Sequence, residues 1–121
     1  MTRTTMKLRP HERLKDPEAF RRAFQRRRWE SDQVLAVYAI ENGRDHARLG
    51  ISVSRKKVRT ASSRNRLKRL IREAFRLIKA GLPPGIDFVV VPRDQDARFD
   101  MVRQSLADLS ARLARRMNRG S

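Results

Sequence analysis

Two periods of apolar residues run through this chain and divide it into segments. Ala19, Phe20, Ala23 and Phe24 share one helix face by their i, i+3, i+4 spacing, and Asp16-Pro17-Glu18 ahead of them has the form of a helix start. Asp is a capping residue, Pro fits the first helical position, and Glu adds an acid in the first turn. The predicted helix runs from there to about Arg28. Val34 to Ile40 is an unbroken apolar run, which predicts a largely buried strand, and a further short strand is expected near Trp29. The turn-rich Glu41-Asn42-Gly43-Arg44-Asp45 predicts a hairpin into the next strand, Ala47 to Ser54. There the pattern alternates. Leu49, Ile51 and Val53 point to a core, while Arg48, Gly50, Ser52 and Ser54 form a small, polar, open face.

The period then changes to 3.6. Leu67, Leu70, Ile71, Ala74, Phe75 and Ile78 form the stripe of a long helix from about Thr60 to Ala80, with Thr60, Ser62 or Ser63 as its cap. Gly81-Leu82-Pro83-Pro84-Gly85 stops it, and Ile86 to Val91 predicts another buried strand. Asp100 is expected to cap a last helix whose Val102, Leu106, Leu109 and Leu113 face inward. The order is that of an α+β fold, one sheet with helices packed on it. Residues 1–14 are expected to be a basic flexible arm, 15–117 a single domain and 118–121 a frayed tail.

Charge narrows the function. Of 121 residues, 36% are charged, and 30 Lys+Arg against 13 Asp+Glu leave a formal charge of +17. Such a domain repels itself, so a polyanion is the expected partner: nucleic acid first, an anionic membrane surface second. The absence of Cys excludes disulfides, thiolate nucleophiles and cysteine-ligated zinc. His11 and His46 have no metal-ligand spacing and are expected to be surface residues. No apolar run approaches the roughly 18 residues of a membrane span. Basic Met1 to Pro10 lacks the apolar stretch of a secretory signal, and Met6 is an alternative start, so a cytoplasmic protein is expected.

The positive charge concentrates between Ser54 and Arg76. Arg55, Lys56, Lys57 and Arg59 precede the long helix, Arg64, Asn65, Arg66, Lys68, Arg69, Arg72 and Arg76 lie on it, and Glu73 is the only acid. Arg64, Lys68, Arg72 and Arg76 recur every four residues and form a ridge, about 18 Å long at the ~1.5 Å rise of a helix. An ordinary solvated helix face mixes signs and gains ion pairs, whereas like charges at i,i+4 oppose the helix. Arginine's planar fork matches two phosphate oxygens, and the loop cations sit near the positive end of the helix dipole, so nucleic-acid phosphates are the expected ligand of this ridge. Asp87, Asp94, Asp96 and Asp100 cluster near the last strand, but Asp-x-Asp is common in loops. Neither a metal site nor an autonomous catalytic centre is expected from them.

Arg64-Asn65-Arg66-Leu67-Lys68-Arg69-Leu70-Ile71-Arg72-Glu73 resembles the Arg-Asn-Arg helix of the bacterial ribonuclease P protein family. Leu49 to Val58, Phe20-x-x-x-Phe24 and Asp87 to Arg93 resemble that family's flanking segments in the same order, and the likeness spans about Arg13 to Leu113. The resemblance implies an α/β sandwich with a four-stranded mixed sheet, three helices and a left-handed β-α-β crossover through the Arg-Asn-Arg helix. It implies a monomeric protein without a cofactor of its own. Its partners would be a catalytic RNA, which cleaves with Mg²⁺, and precursor tRNA, and no membrane is implied. The 5′ leader would lie in a cleft formed by Phe20, Phe24, Ala36, Tyr38, Gly50, Ser52 and Arg93. Aromatic rings on a basic surface stack on unpaired bases. Core packing is the plainer use of an i,i+4 aromatic pair, whereas the resemblance implies partial exposure in a groove. Departures from the family pattern stand at Arg59 and near Arg27 and Arg28, where Gly is usual, at Ser62, where an apolar residue is, and at Asp94, often basic. The alternative is a ribosomal or other structural RNA-binding protein, which composition fits equally.

Overall fold

The computed structural model describes residues 8–26 and 28–120. The element order is α1 (Pro17–Gln25), β1 (Trp29–Ser31), β2 (Leu35–Glu41), β3 (Arg48–Ile51), α2 (Ala61–Ile78), β4 (Ile86–Pro92) and α3 (Phe99–Gly120), with short 3₁₀ turns at Pro10–Glu12 and Lys79–Gly81. The four-stranded sheet has the order β1-β2-β4-β3. β2 is antiparallel to β1 and β4, and β3 is parallel to β4, so the sheet is mixed. The α+β class and the mixed sheet with three helices are as expected.

The β2–β3 hairpin is not formed. β4 lies between the two strands, pairing Val37 with Val90 on one side and Ile51 with Val90 on the other. β4 is apolar on both faces, and a strand with both faces covered is most stable in the sheet centre. The turn-rich segment after β2 instead passes over the end of β4, where the Asn42 N–H donates to the Gly85 carbonyl at 2.9 Å. Parallel β3 and β4 are joined by the crossover helix α2.

The two sheet faces are covered unequally. Leu35, Val37, Ala39, Leu49, Phe88 and Val90 face α2 and α3, whose Ile71, Phe75, Val102, Leu106, Leu109 and Leu113 complete the main core. On the other face Ala19 and Ala23 of α1 pack on Val89, with Phe20, Tyr38 and Ile40 at the margin. A single short helix cannot cover the whole of that face, which leaves part of the sheet accessible.

Local chemistry sets the helix ends. Asp16 accepts the Glu18 N–H at 3.1 Å. Of the three candidate caps of α2, Thr60 is the one used, accepting the Ser63 N–H at 3.2 Å. Asp100 is not the cap of α3. The helix begins at Phe99, which places Asp100 within its first turn, 3.6 Å from Arg98. α3 also continues past Leu113 to Gly120, because Met117 is buried in the core and gives the last turns an apolar contact.

Residues 8–14 are not a free arm, and 1–7 lie outside the described residues. Leu8 and Leu14 are buried. The Leu14 N–H donates to the Leu49 carbonyl at 2.8 Å, and Arg13 bridges to Leu49, so this segment covers the outer edge of β3. Lys79 Nζ donates to the two Glu12 carboxylate oxygens at 2.9 and 3.0 Å. The two histidines are brought together here. Their rings meet edge to face at 4.8 Å, and His46 Nε2 lies 3.0 Å from the His11 carbonyl oxygen. Among the described residues no helix is long and apolar enough to cross a membrane.

Candidate nucleic-acid interface

The less covered sheet face carries the aromatic residues. Phe20 and Phe24 project from α1, one turn apart. The Phe24 ring meets Tyr38 edge to face at 4.8 Å, and Trp29, opposite Tyr38 on β1, stacks on it at 6.0 Å. Phe24 is 38% exposed, whereas Phe20 and Tyr38 are half-buried. These rings therefore stand at the margin of the core, with apolar faces that reach solvent.

Beside them lies a floor of small residues. The pairing Ser31–Ala36–Val91 crosses the sheet, and the Ser52 N–H donates to the Val90 carbonyl at 3.0 Å, which continues that row past the end of β3. Ala36 is buried and Ser52 half-buried, so both lie below the aromatic rim. Arg93 stands at the exit of β4. Its guanidinium donates to the Asp32 carbonyl at 2.7 Å and is otherwise exposed. Gly50 departs from the expected open face, because the Phe20 ring and Leu14 cover it. Its neighbour in the next row out, Arg48, is likewise engaged: Nε and Nη2 donate to buried Asp87 at 2.8 Å each. Asn42 adds a third bond to Asp87 at 2.8 Å. The usable floor is thus the Ala36–Val91–Ser52 end.

The basic ridge of α2 lies on the other layer of the molecule. Its members are not equivalent. Arg64 donates to the Val58 and Arg59 carbonyls at 2.9 and 3.1 Å. Arg66 donates to the Gln95 and Ala97 carbonyls at 3.3 and 2.7 Å. The two arginines of the motif thus fasten the loop before α2 and the loop between β4 and α3. Asn65 between them is exposed, as are Arg69 and the loop cations Arg55, Lys56, Lys57 and Arg59. That loop is held by buried Val58, whose N–H donates to the Ser54 carbonyl at 2.9 Å. Arg76 pairs with Glu73.

Lys68 and Arg72 line a cavity of about 240 Å³ together with Arg13 and Lys15 from the N-terminal segment and apolar Leu8, Leu14, Leu49 and Ile51. No acid lines it. Burial first, then the charges of Arg13 and Arg69, holds the Arg72 guanidinium below its ordinary value. An anion placed there would relieve this crowding of positive charge. Arg13 and Lys15 were not singled out by the sequence; Leu8 and Leu14, apolar positions in a basic segment, were the sign that it packs. Trp29 was noted only as a strand marker.

The acids are engaged elsewhere. Asp87 holds Arg48, Asp94 accepts the Asp96 N–H at 3.0 Å, and Asp100 faces Arg98. Among the described residues no group of three or more His, Asp or Glu is placed to hold a metal ion.

Three comparisons bear on this geometry. The family model described as Ribonuclease P matches residues 8–114. The ribonuclease P protein component of Clostridioides difficile is 39% identical over 102 residues, which cover 82% of this chain and 89% of that protein. The component from Photobacterium profundum is 35% identical over 107 residues, 88% of each. Among solved structures, the RNase P protein from Thermotoga maritima superposes with a TM-score of 0.75 at 37% identity, covering 84% of this chain and 96% of that one. The Staphylococcus aureus RNase P protein gives 0.72 at 33% identity, covering 81% and 91%.

Proposed function

The chain belongs to the ribonuclease P protein family, and on that premise we propose that it serves two RNAs at once on opposite layers of one small domain. The α2 layer docks on a ribonuclease P RNA. Arg64 and Arg66 set the shape of that surface by fixing the flanking loops, while Lys68, Arg69, Arg72 and the loop cations meet phosphates. The α1 layer holds the unpaired 5′ leader of precursor tRNA, with bases against Phe20, Phe24 and Tyr38 over the small-residue floor, and Arg93 on the backbone. Phosphodiester hydrolysis and its Mg²⁺ belong to the RNA. Of the acids near the last strand, Asp87 and Asp100 face arginines and Asp94 accepts in a local turn, which is in keeping with hydrolysis by the RNA.

The observation that carries this reading is the separation of two chemistries. Aromatic rings with exposed faces lie on one layer, and a ridge of cations almost free of acids lies on the other. Stacking suits single strands, whereas an Arg/Lys ridge suits a folded backbone. The ribosomal alternative offers no reason for a second, aromatic face of this kind.

Reconstitution with a ribonuclease P RNA tests the proposal. The protein should lower the Mg²⁺ needed for precursor cleavage and favour precursor over mature tRNA. Phe24→Leu and Tyr38→Leu should reduce that preference and leave affinity for the RNA subunit unchanged. A protein that alters neither the Mg²⁺ requirement nor substrate preference would refute it.

A further inference from the structure

Two large hydrophobic side chains are exposed among the described residues, Phe24 at 38% and Trp29 at 47%, and both rest on the ring of Tyr38. Phe24 lies over the groove already described. Trp29 lies on the far side of Tyr38, on the edge strand, where it extends the aromatic surface past the end of that groove.

Its position is firmly held. The Trp29 carbonyl accepts from Arg116 Nη1 at 3.0 Å, and the neighbouring Arg28 carbonyl accepts from the Ala39 N–H at 3.0 Å. An indole kept half in water on a rigid strand has a face to offer a ligand, and its backbone is already ordered.

The surrounding charge indicates which ligand. Glu41 is shared by Arg28 at 2.7 Å and Arg26 at 3.9 Å. Glu30 is shared by Arg116 at 2.8 Å and Arg112 at 4.0 Å. Each carboxylate neutralises one of its two partners, so the edge strand that carries Trp29 keeps an excess of positive charge, with Glu30 and its arginines on the α3 face of the sheet, across the strand from the indole. An exposed ring that continues the aromatic surface of Tyr38 along a net-positive edge strand is complementary to an unpaired base and its adjoining phosphates.

We propose that Trp29 is a base-stacking platform that extends the leader path beyond Tyr38 across the edge strand, so that this protein grips an additional unpaired nucleotide. The inference rests on the leader-binding role proposed above. It assigns Trp29 a contact with RNA, where shielding Tyr38 from water would be a purely structural use.

Trp29 is the only tryptophan of the chain, so its emission reports on this site alone. With the protein reconstituted on a ribonuclease P RNA, precursor tRNA carrying a long leader should change that emission, and mature tRNA should not. Affinity measured over a series of leader lengths should show a late gain of about tenfold, the order one base stack contributes. Trp29→Leu should abolish that gain, and Trp29→Phe should restore most of it. Emission insensitive to the leader would overturn the inference, as would a Trp29→Leu loss equal at every leader length and in mature tRNA. If Phe24→Leu and Tyr38→Leu reduce precursor preference while Trp29→Leu does not, this inference fails and the leader-binding role stands. If none of the three has an effect, the leader-binding role itself fails.

Discussion

The ring of Phe20 occupies the space that a side chain at position 50 would need. A Cβ added to Gly50 would lie 2.8 Å from Phe20 Cζ and 2.9 Å from Cε1, with a Leu14 methyl at 3.0 Å. Gly50→Ala should therefore push Phe20 outward and cost about 1–3 kcal/mol in urea unfolding, the range for overpacking. Phe20 is half-exposed and can yield, so the lower end is expected. In a Phe20→Leu background the cost of Gly50→Ala should shrink, which a double-mutant cycle measures. Equal costs in both backgrounds would show that the two residues are not coupled.

The cations of α2 should divide into two classes. Arg64→Ala and Arg66→Ala each release two loop carbonyls. Each should destabilise the protein alone by about 1–2 kcal/mol, since a hydrogen bond from a charged donor contributes ~1.5–3 and these sites are partly solvated. Lys68→Ala and Arg69→Ala should change stability by less than about 0.5 kcal/mol. Each should instead lower the log–log salt slope of RNA binding by roughly 0.7–0.9. Thermal melts of the free protein and salt titrations of the complex separate the classes. Equal melting temperatures for all four variants would contradict the tethering role.

Sulfate should stabilise the free protein more than chloride at matched ionic strength. The cavity at Arg13, Lys15, Lys68 and Arg72 gathers positive charge without an acid. A ligand of the folded state at about a hundred times its dissociation constant adds ~2.7 kcal/mol, a rise of several degrees in Tm. Arg72→Ala should remove most of the difference between the two salts. The same sulfate response in that variant would place the anion elsewhere.

Acid should unfold the protein partly through Asp32. Burial opposes its charge, but the Leu35 N–H, the Ser105 hydroxyl and the Val34 N–H all donate to it and Arg112 is near, so its carboxyl is held below the ordinary 3.8. A depressed carboxyl contributes stability that is present above the unfolded value and is lost as pH falls through the folded one. Asp32→Asn should lower the urea midpoint at pH 7 and flatten the decline of stability below about pH 4. A parallel decline in both proteins would exclude Asp32 as a source.

The elements were legible in the sequence where periodicity speaks for them. The stripe of α2, the inward residues of α3 and the cap candidate Thr60 needed only spacing and local hydrogen bonding. Strand order was harder. The Asn-Gly turn after β2 suggested a neighbour, while the unbroken apolar run of β4, which requires partners on both sides, was the better guide. Site residues were legible by type more than by role. The guanidiniums of Arg64 and Arg66 present the same donors to a carbonyl as to a phosphate, and the loop carbonyls they reach lie six and about thirty residues away, outside any local pattern. Gly50 read as an open surface because its partner, Phe20, comes from a distant segment.

The central position of β4 also constrains the order in which the chain can assemble during synthesis. Leu35 pairs with Pro92 and Arg48 with Asp87, so β2 and β3 have no shared partner until residues 86–92 have been made. On the ribosome residues 35–51 would emerge with β2 and β3 unjoined to each other, and α3, which closes the main core, follows β4. The sheet therefore closes only once β4 has emerged, and a truncation that removes α3 should leave a polypeptide that cannot persist as a folded intermediate.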